Sequence, residues 1–80
     1  MLNMEQKIKD ILSSVLNVEV TKIDENSSPD SIEAWDSLNH LNLMMALEEE
    51  FNIKFSGDEI GEMMNYKLIN LIINEKIKSL

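Results

Sequence analysis

Ser37 is the side chain of this 80-residue sequence best placed for chemistry. It stands in Asp36-Ser37-Leu38, directly after an irregular acidic stretch and in the first turn of an amphipathic segment that runs to Phe51, within reach of a modifying enzyme. Nothing nearby suggests internal activation. The one histidine, His40, lies three positions along the same segment without a carboxylate placed to orient it, so a small hydrolase is the least favoured class. By spacing His40 falls on the inward side, as a structural side chain and not a ligand or catalyst. The chain has no cysteine, which excludes disulfides, thiolate zinc sites and a protein-borne thiol nucleophile; any sulfur chemistry must come from a prosthetic group. Asp24, Asn26 and Ser28 alternate as calcium ligands do, but Pro29 and Trp35 occupy the positions where such a loop needs glycine and glutamate. Taken alone, the triplet is equally a plain helix start, with Asp36 as N-cap and Ser37 as a tolerated first-turn residue.

The elements that must position Ser37 follow from hydrophobic periodicity. Met4, Ile8, Ile11, Leu12, Val15 and Leu16 recur at helical spacing and predict a first helix that stops near Asn17. Residues 18–35, with Pro29 and three serines, predict a long loop anchored inward by Val20, Ile23 and Ile32. The second helix starts at Asp36 or Ser37 and holds Leu38, Leu41, Leu43, Met44, Met45, Leu47 and Phe51. That arc is too wide for a helix packed on one side, so part of it is expected in solvent. Ser56-Gly57-Asp58-Glu59 fits a capping box and opens a short third helix that carries Gly61 and ends near Asn65, the element expected to be least stable. A last helix presents Leu68, Ile69, Ile72, Ile73, Ile77 and Leu80 on one face, with Lys76 and Lys78 near its C-terminus, where the helix dipole favours cations. For the methionines at 44, 45, 63 and 64, core filling is expected before the lining of a flexible cavity. The reading is all-α: a small four-helix bundle of three longer helices and one short one, with a long first loop, as a single domain over residues 1–80.

A bundle of this size holds a small core, with a stability of roughly 3 to 5 kcal/mol and little room for an enclosed active site. The net charge of −8 is concentrated around Ser37. Residues 24–62 carry eleven acidic side chains against Lys54 alone, whereas residues 1–23 balance and 63–80 are positive by two. Such a field repels nucleic acid and anionic membranes and steers basic protein surfaces toward Ser37. With neither a secretory pattern at the start nor an apolar run of about 20 residues, the expectation is a cytoplasmic protein.

The stretch 35–51, Trp-Asp-Ser-Leu-Asn-His-Leu-Asn-Leu-Met-Met-Ala-Leu-Glu-Glu-Glu-Phe, resembles the attachment serine and recognition helix of the acyl carrier protein family nearly position by position, and the likeness in length, charge and helix order extends over the whole chain. The resemblance implies a carrier and not an enzyme, of the discrete kind. Ser37 would bear 4'-phosphopantetheine, donated by coenzyme A through a separate phosphopantetheinyl transferase with magnesium, and the terminal thiol would hold an acyl or aminoacyl group as a thioester. A phosphodiester on Ser37 would lie against the unpaired N–H groups of the second helix. The resemblance also sorts the wide arc. Leu43, Met44, Leu47 and Phe51 would face the core, while Leu38, Leu41 and Met45 would be exposed beside Asp36, Asn39, Asn42, Glu48 and Glu49 as a recognition strip for loading and processing enzymes with basic docking surfaces.

Two departures from the family pattern stand out. Fatty acid carriers usually have acidic residues where this chain has Asn39 and Asn42, which points toward a specialised lipid or secondary-metabolite pathway and away from housekeeping fatty acid synthesis. Trp35 replaces a commonly small residue and is expected to pack the loop onto the bundle. An aminoacyl or peptidyl carrier is the nearest alternative, and an unmodified acidic interaction module the alternative of a different class; a monomer is the default for each.

Overall fold

The computed structural model describes residues 4–78. Four α-helices follow one another: α1 (Met4–Leu16), α2 (Ser37–Phe51), α3 (Gly57–Glu62) and α4 (Tyr66–Lys78), with a 3-10 turn (Val20–Lys22) inside the first loop. Three helices are long and one is short, and no strand occurs among the described residues. Leu80, expected on the apolar face of the last helix, lies outside that range.

Two helices stop by the same device. Asn17 and Asn52 adopt left-handed φ angles of 55° and 54°, and the next residue's N–H turns back onto the helix, Val18 N to Ser13 O and Ile53 N to Glu48 O. Asparagine tolerates this conformation better than other side chains short of glycine, and the returning N–H satisfies a carbonyl the helix leaves unpaired. The core joins α1 (Ile8, Leu12, Leu16), α2 (Leu43, Met44, Leu47) and α4 (Ile69, Ile73), with Met63 beneath α3. From the loop, Ile23, Ile32 and Trp35 insert into it, but Val20 is only half-buried. Val20 opens the 3-10 turn, whose Ile23 N–H returns to the Val20 carbonyl, and of the two it is Ile23 that lies inward.

The first loop is a chain of small turns. Asp24 Oδ1 accepts from Asn26 N at 2.9 Å, Ser27 Oγ from Asp24 N at 2.9 Å, and Ser31 Oγ from Ser28 N at 3.0 Å. Its carbonyl at Ser27 accepts from Tyr66 N, which ties the loop to the start of α4. Short polar side chains that satisfy nearby backbone groups let a 20-residue connection hold one shape with a single 3-10 turn as its regular structure.

Helix α3 is shorter than its sequence suggests. It ends at Glu62 because Asn65 starts the next helix, its Oδ1 accepting from Leu68 N at 2.7 Å. Leu68, expected inside, is 37% exposed, and Ile69 and Ile73 carry the buried stripe. The capping box forms as the sequence implies: Ser56 Oγ accepts from Glu59 N and Glu59 Oε1 from Ser56 N. Glu59 also meets Lys76 of α4 at 2.9 Å, and the Ser56 backbone N–H, followed by Lys76, holds its carboxyl below the usual carboxylate range.

A folded-state depression means that Glu59 stabilises the fold above its unfolded value, and that this contribution disappears as pH falls through the folded one. Glu59→Gln keeps the box, because glutamine accepts the same N–H, and loses only the charge. It is expected to cost about 0.5 to 1 kcal/mol at neutral pH, as for a partly exposed pair. Its denaturation midpoint should fall less than the parent's between about pH 5 and pH 3, the window of carboxylate titration. Parallel urea midpoints for the two proteins, converging on acidification, are the check; curves that stay a constant distance apart would exclude the charge effect.

Candidate functional site

Ser37 is exposed as the first residue of α2. Asp36 precedes it in extended backbone as the N-cap, its Oδ1 accepting from Asn39 N at 2.8 Å while its carbonyl accepts from His40 N. The cap therefore turns the Asp36 carboxylate onto the helix end and takes up two of the first N–H groups. Those of Ser37 and Leu38 meet no acceptor among the described residues, and with the helix dipole they form a surface suited to an anion on Ser37 Oγ. A phosphodiester on this hydroxyl fits the donor set.

Below the serine, three side chains lock the helix start to the loop. Trp35 is almost fully buried, as expected of a ring that packs the loop down, and its Nε1 donates to His40 Nδ1 at 2.9 Å. Indole is only a donor, so His40 Nδ1 is the acceptor and Nε2 bears the proton, which it donates to Ile60 O of α3 at 2.8 Å. Asn39 Nδ2 donates to Ala34 O at 2.7 Å, and its Oδ1 accepts weakly from Asn42 at 3.3 Å. His40 is thus a buried structural residue with both nitrogens engaged, and neither is free to deprotonate Ser37. Sequence reasoning placed Trp35 and His40 inside but did not join them. The signal available was their spacing of five across a helix start, and it lacked the Ile60 carbonyl twenty residues away.

The expected strip is largely outside. Leu38, Leu41 and Met45 are 69%, 52% and 57% exposed, with Asn42 and Glu49 also exposed. Leu43, Met44 and Leu47 are buried and Phe51 packs partly against them. Two polar members are not freely presented. Asn39 is half-buried over the Ala34 carbonyl, and Glu48 Oε2 accepts from Phe55 N at 2.8 Å, bracing the α2–α3 connection. Among the methionines, 44 and 63 fill the core, whereas 45 and 64 lie on the surface, Met64 beside a cleft that reaches Ser37.

The described residues thus form a small four-helix protein that presents an exposed serine at the capped N-terminus of its second helix. A family model described as "Phosphopantetheine attachment site" matches residues 6–70. The chain is similar to an acyl carrier protein of Buchnera aphidicola subsp. Schizaphis graminum, 47% identical over 98% of this chain and 100% of that one. It is also similar to an acyl carrier protein of Buchnera aphidicola subsp. Acyrthosiphon pisum (strain 5A), 40% identical over 98% and 99%, and to one of Clostridium acetobutylicum, 40% identical over 76% and 87%. The chain belongs to the acyl carrier protein family. It is a carrier and not an enzyme, and its cofactor is covalently attached 4'-phosphopantetheine. None of the helices among the described residues is long and apolar enough to cross a membrane.

Proposed function

We propose that Ser37 is the attachment residue, and that the protein carries acyl groups as thioesters on the arm and delivers them to separate enzymes of a specialised biosynthetic pathway. The observation that carries the reading is the exposed Ser37 hydroxyl at the capped start of α2, inside the segment matched by the family model. Attachment joins Ser37 Oγ to the β-phosphorus of coenzyme A and releases adenosine 3',5'-bisphosphate. The serine proton goes to a base of the transferase, because His40 has both nitrogens occupied and the Asp36 carboxylate is turned onto the Asn39 N–H as the helix cap. Acyl cargo, as opposed to aminoacyl, is favoured by relatives that are acyl carrier proteins over nearly the whole chain. Partners are a phosphopantetheinyl transferase and acyl-handling enzymes that meet Leu38, Leu41 and Met45 with an apolar centre and the acidic rim with basic residues.

The neutral first two turns of α2 support the specialised role. Asn39 donates to the Ala34 carbonyl, which a carboxylate cannot do, so the amide is built into the fold at this position. Asn42 leaves the next turn uncharged on the surface. The test is turnover of the phosphopantetheine-bearing protein by a housekeeping malonyl transferase and ketosynthase. We expect kcat/KM lower by at least about tenfold than for a fatty acid carrier, the effect of about 1.4 kcal/mol of missing charge pairing. Equal turnover would reject the specialised role and leave attachment at Ser37 untouched.

A further inference from the structure

Between residues 24 and 62 the chain carries eleven carboxylates and a single lysine, Lys54, with no arginine. That lysine stands just past the end of α2, and the backbone on both sides of it is fixed. Asn52 takes the left-handed conformation that stops the helix, Ile53 is buried with its N–H on the Glu48 carbonyl, and Phe55 N is held by Glu48 Oε2 at 2.8 Å. Lys54 is therefore carried outward at a set place, with its own side chain exposed. Acidic residues near it in sequence are engaged elsewhere: Glu48 by Phe55 N, Glu50 by Lys7 at 3.9 Å, and Glu59 by Lys76 at 2.9 Å. Lys54 itself makes no ion pair among the described residues. Two open clefts meet at this side chain. One, of about 410 Å³, is walled by Met45, Glu48, Glu49 and Asn52, and so continues the exposed strip of α2. The other, of about 600 Å³, runs to Glu62, Ile72 and Glu75.

We infer that Lys54 is a specificity residue at the far end of the docking strip: it selects acyl-handling enzymes whose basic docking surface is interrupted by a carboxylate opposite Lys54, and disfavours those that are basic throughout. The inference rests on reading the α2 strip as the docking surface. In the free protein an exposed lysine gains little from any neighbour and stays hydrated. Docking over Met45 brings partner surface to the cleft that Met45 shares with Lys54, where water is displaced and charges act at short range. A basic side chain that meets Glu49 is attracted there, whereas a second one opposite Lys54 is repelled. A carboxylate at the second place turns repulsion into attraction and leaves the Glu49 contact intact. Because Ile53 and Phe55 hold the backbone, only the lysine side chain is free to swing aside. A helix C-terminus also attracts a nearby cation, and that alternative gives Lys54 a structural role with no bearing on partner choice.

In the experiment the whole protein is loaded from malonyl-coenzyme A by a broad-specificity transferase, intact mass verifies equal loading, and a housekeeping ketosynthase with a basic docking surface serves as the probe. Lys54→Glu is set beside Lys67→Glu, which makes the same change in net charge on α4, at a cleft formed with α1 and the first loop. Lys54→Glu is expected to raise kcat/KM about five- to tenfold, through KM, and Lys67→Glu by less than about twofold. Basic residues of the ketosynthase docking surface are then changed to glutamate one at a time. One such change should improve turnover of the parent and impair that of Lys54→Glu. Equal gains from the two carrier variants, or no ketosynthase change with opposite effects on parent and Lys54→Glu, would overturn the inference and return Lys54 to the helix-end role. Glu49→Lys tests the strip itself and should lower kcat/KM at least about tenfold. Unchanged turnover there means that the docking reading fails and this inference with it. A loss there beside equal gains at Lys54 and Lys67 leaves docking standing and removes only the role of Lys54.

Discussion

Ser37→Ala is expected to acquire no phosphopantetheine under conditions in which the parent gains one. Purified protein, coenzyme A, magnesium and a broad-specificity transferase, followed by intact mass, make the measurement. The effect is all or none because the other described serines are badly placed. Ser27 is buried, Ser28, Ser31 and Ser56 accept hydrogen bonds within turns or a cap, and Ser13 donates to the Val18 carbonyl. Ser14 is exposed but lies within α1, where backbone N–H groups are already bonded and none is left for an anion. Stability should hardly move. The cap at this helix is Asp36, and an exposed first-turn serine makes no contact whose loss costs more than about 0.5 kcal/mol. A thermal melt matching the parent's excludes misfolding as the reason for a null result. Modification that persists in the folded Ser37→Ala protein would place the arm elsewhere.

How far such a site can be read in a sequence depends on how local its determinants are. The capping box at Ser56 and Glu59, the stop at Asn17 and the N-cap at Asp36 need only neighbours within five residues, and each forms as the sequence implies. The breadth of the apolar arc on α2 revealed that part of it had to face solvent, and Leu38, Leu41 and Met45 do. Which side was outward came from the family resemblance, because periodicity alone fixes an angle and not a neighbour. Misreadings cluster where a residue type serves two purposes. Asn65 suits the end of one helix as well as the beginning of the next, and the structure uses it for the second. Val20 and Leu68 are apolar residues at plausible inward positions, but of the residues expected inside beside them it is Ile23 and Ile69 that the fold buries. The lock below Ser37 was the least legible feature. Trp35 and His40 are each readable as buried, but their pairing has meaning only when α3 brings the Ile60 carbonyl to the far nitrogen.

That lock should also be where the fold is most sensitive. Trp35→Ala removes a nearly fully buried indole, and truncations of this kind cost about 3 to 5 kcal/mol. This equals the whole stability of roughly 3 to 5 kcal/mol expected for so small a core, so the variant should be largely unfolded at 25 °C by far-ultraviolet circular dichroism. Trp35→Phe separates packing from hydrogen bonding. Most of the ring volume stays, but His40 Nδ1 becomes a buried acceptor without a donor, a cost of about 1 to 3 kcal/mol. At roughly 4 to 8 °C per kcal/mol for a domain of this length, the melting midpoint should fall by at least about 4 °C. The hydrogen bond is tested by a double-mutant cycle with His40→Leu, which removes the acceptor as well. Once the acceptor is gone, phenylalanine at position 35 leaves nothing unsatisfied there, and the second substitution should cost clearly less than it does beside His40. Equal costs in the two backgrounds would mean that Trp35 holds the loop through packing alone, and that Ser37 is positioned by the indole's bulk and not by its N–H.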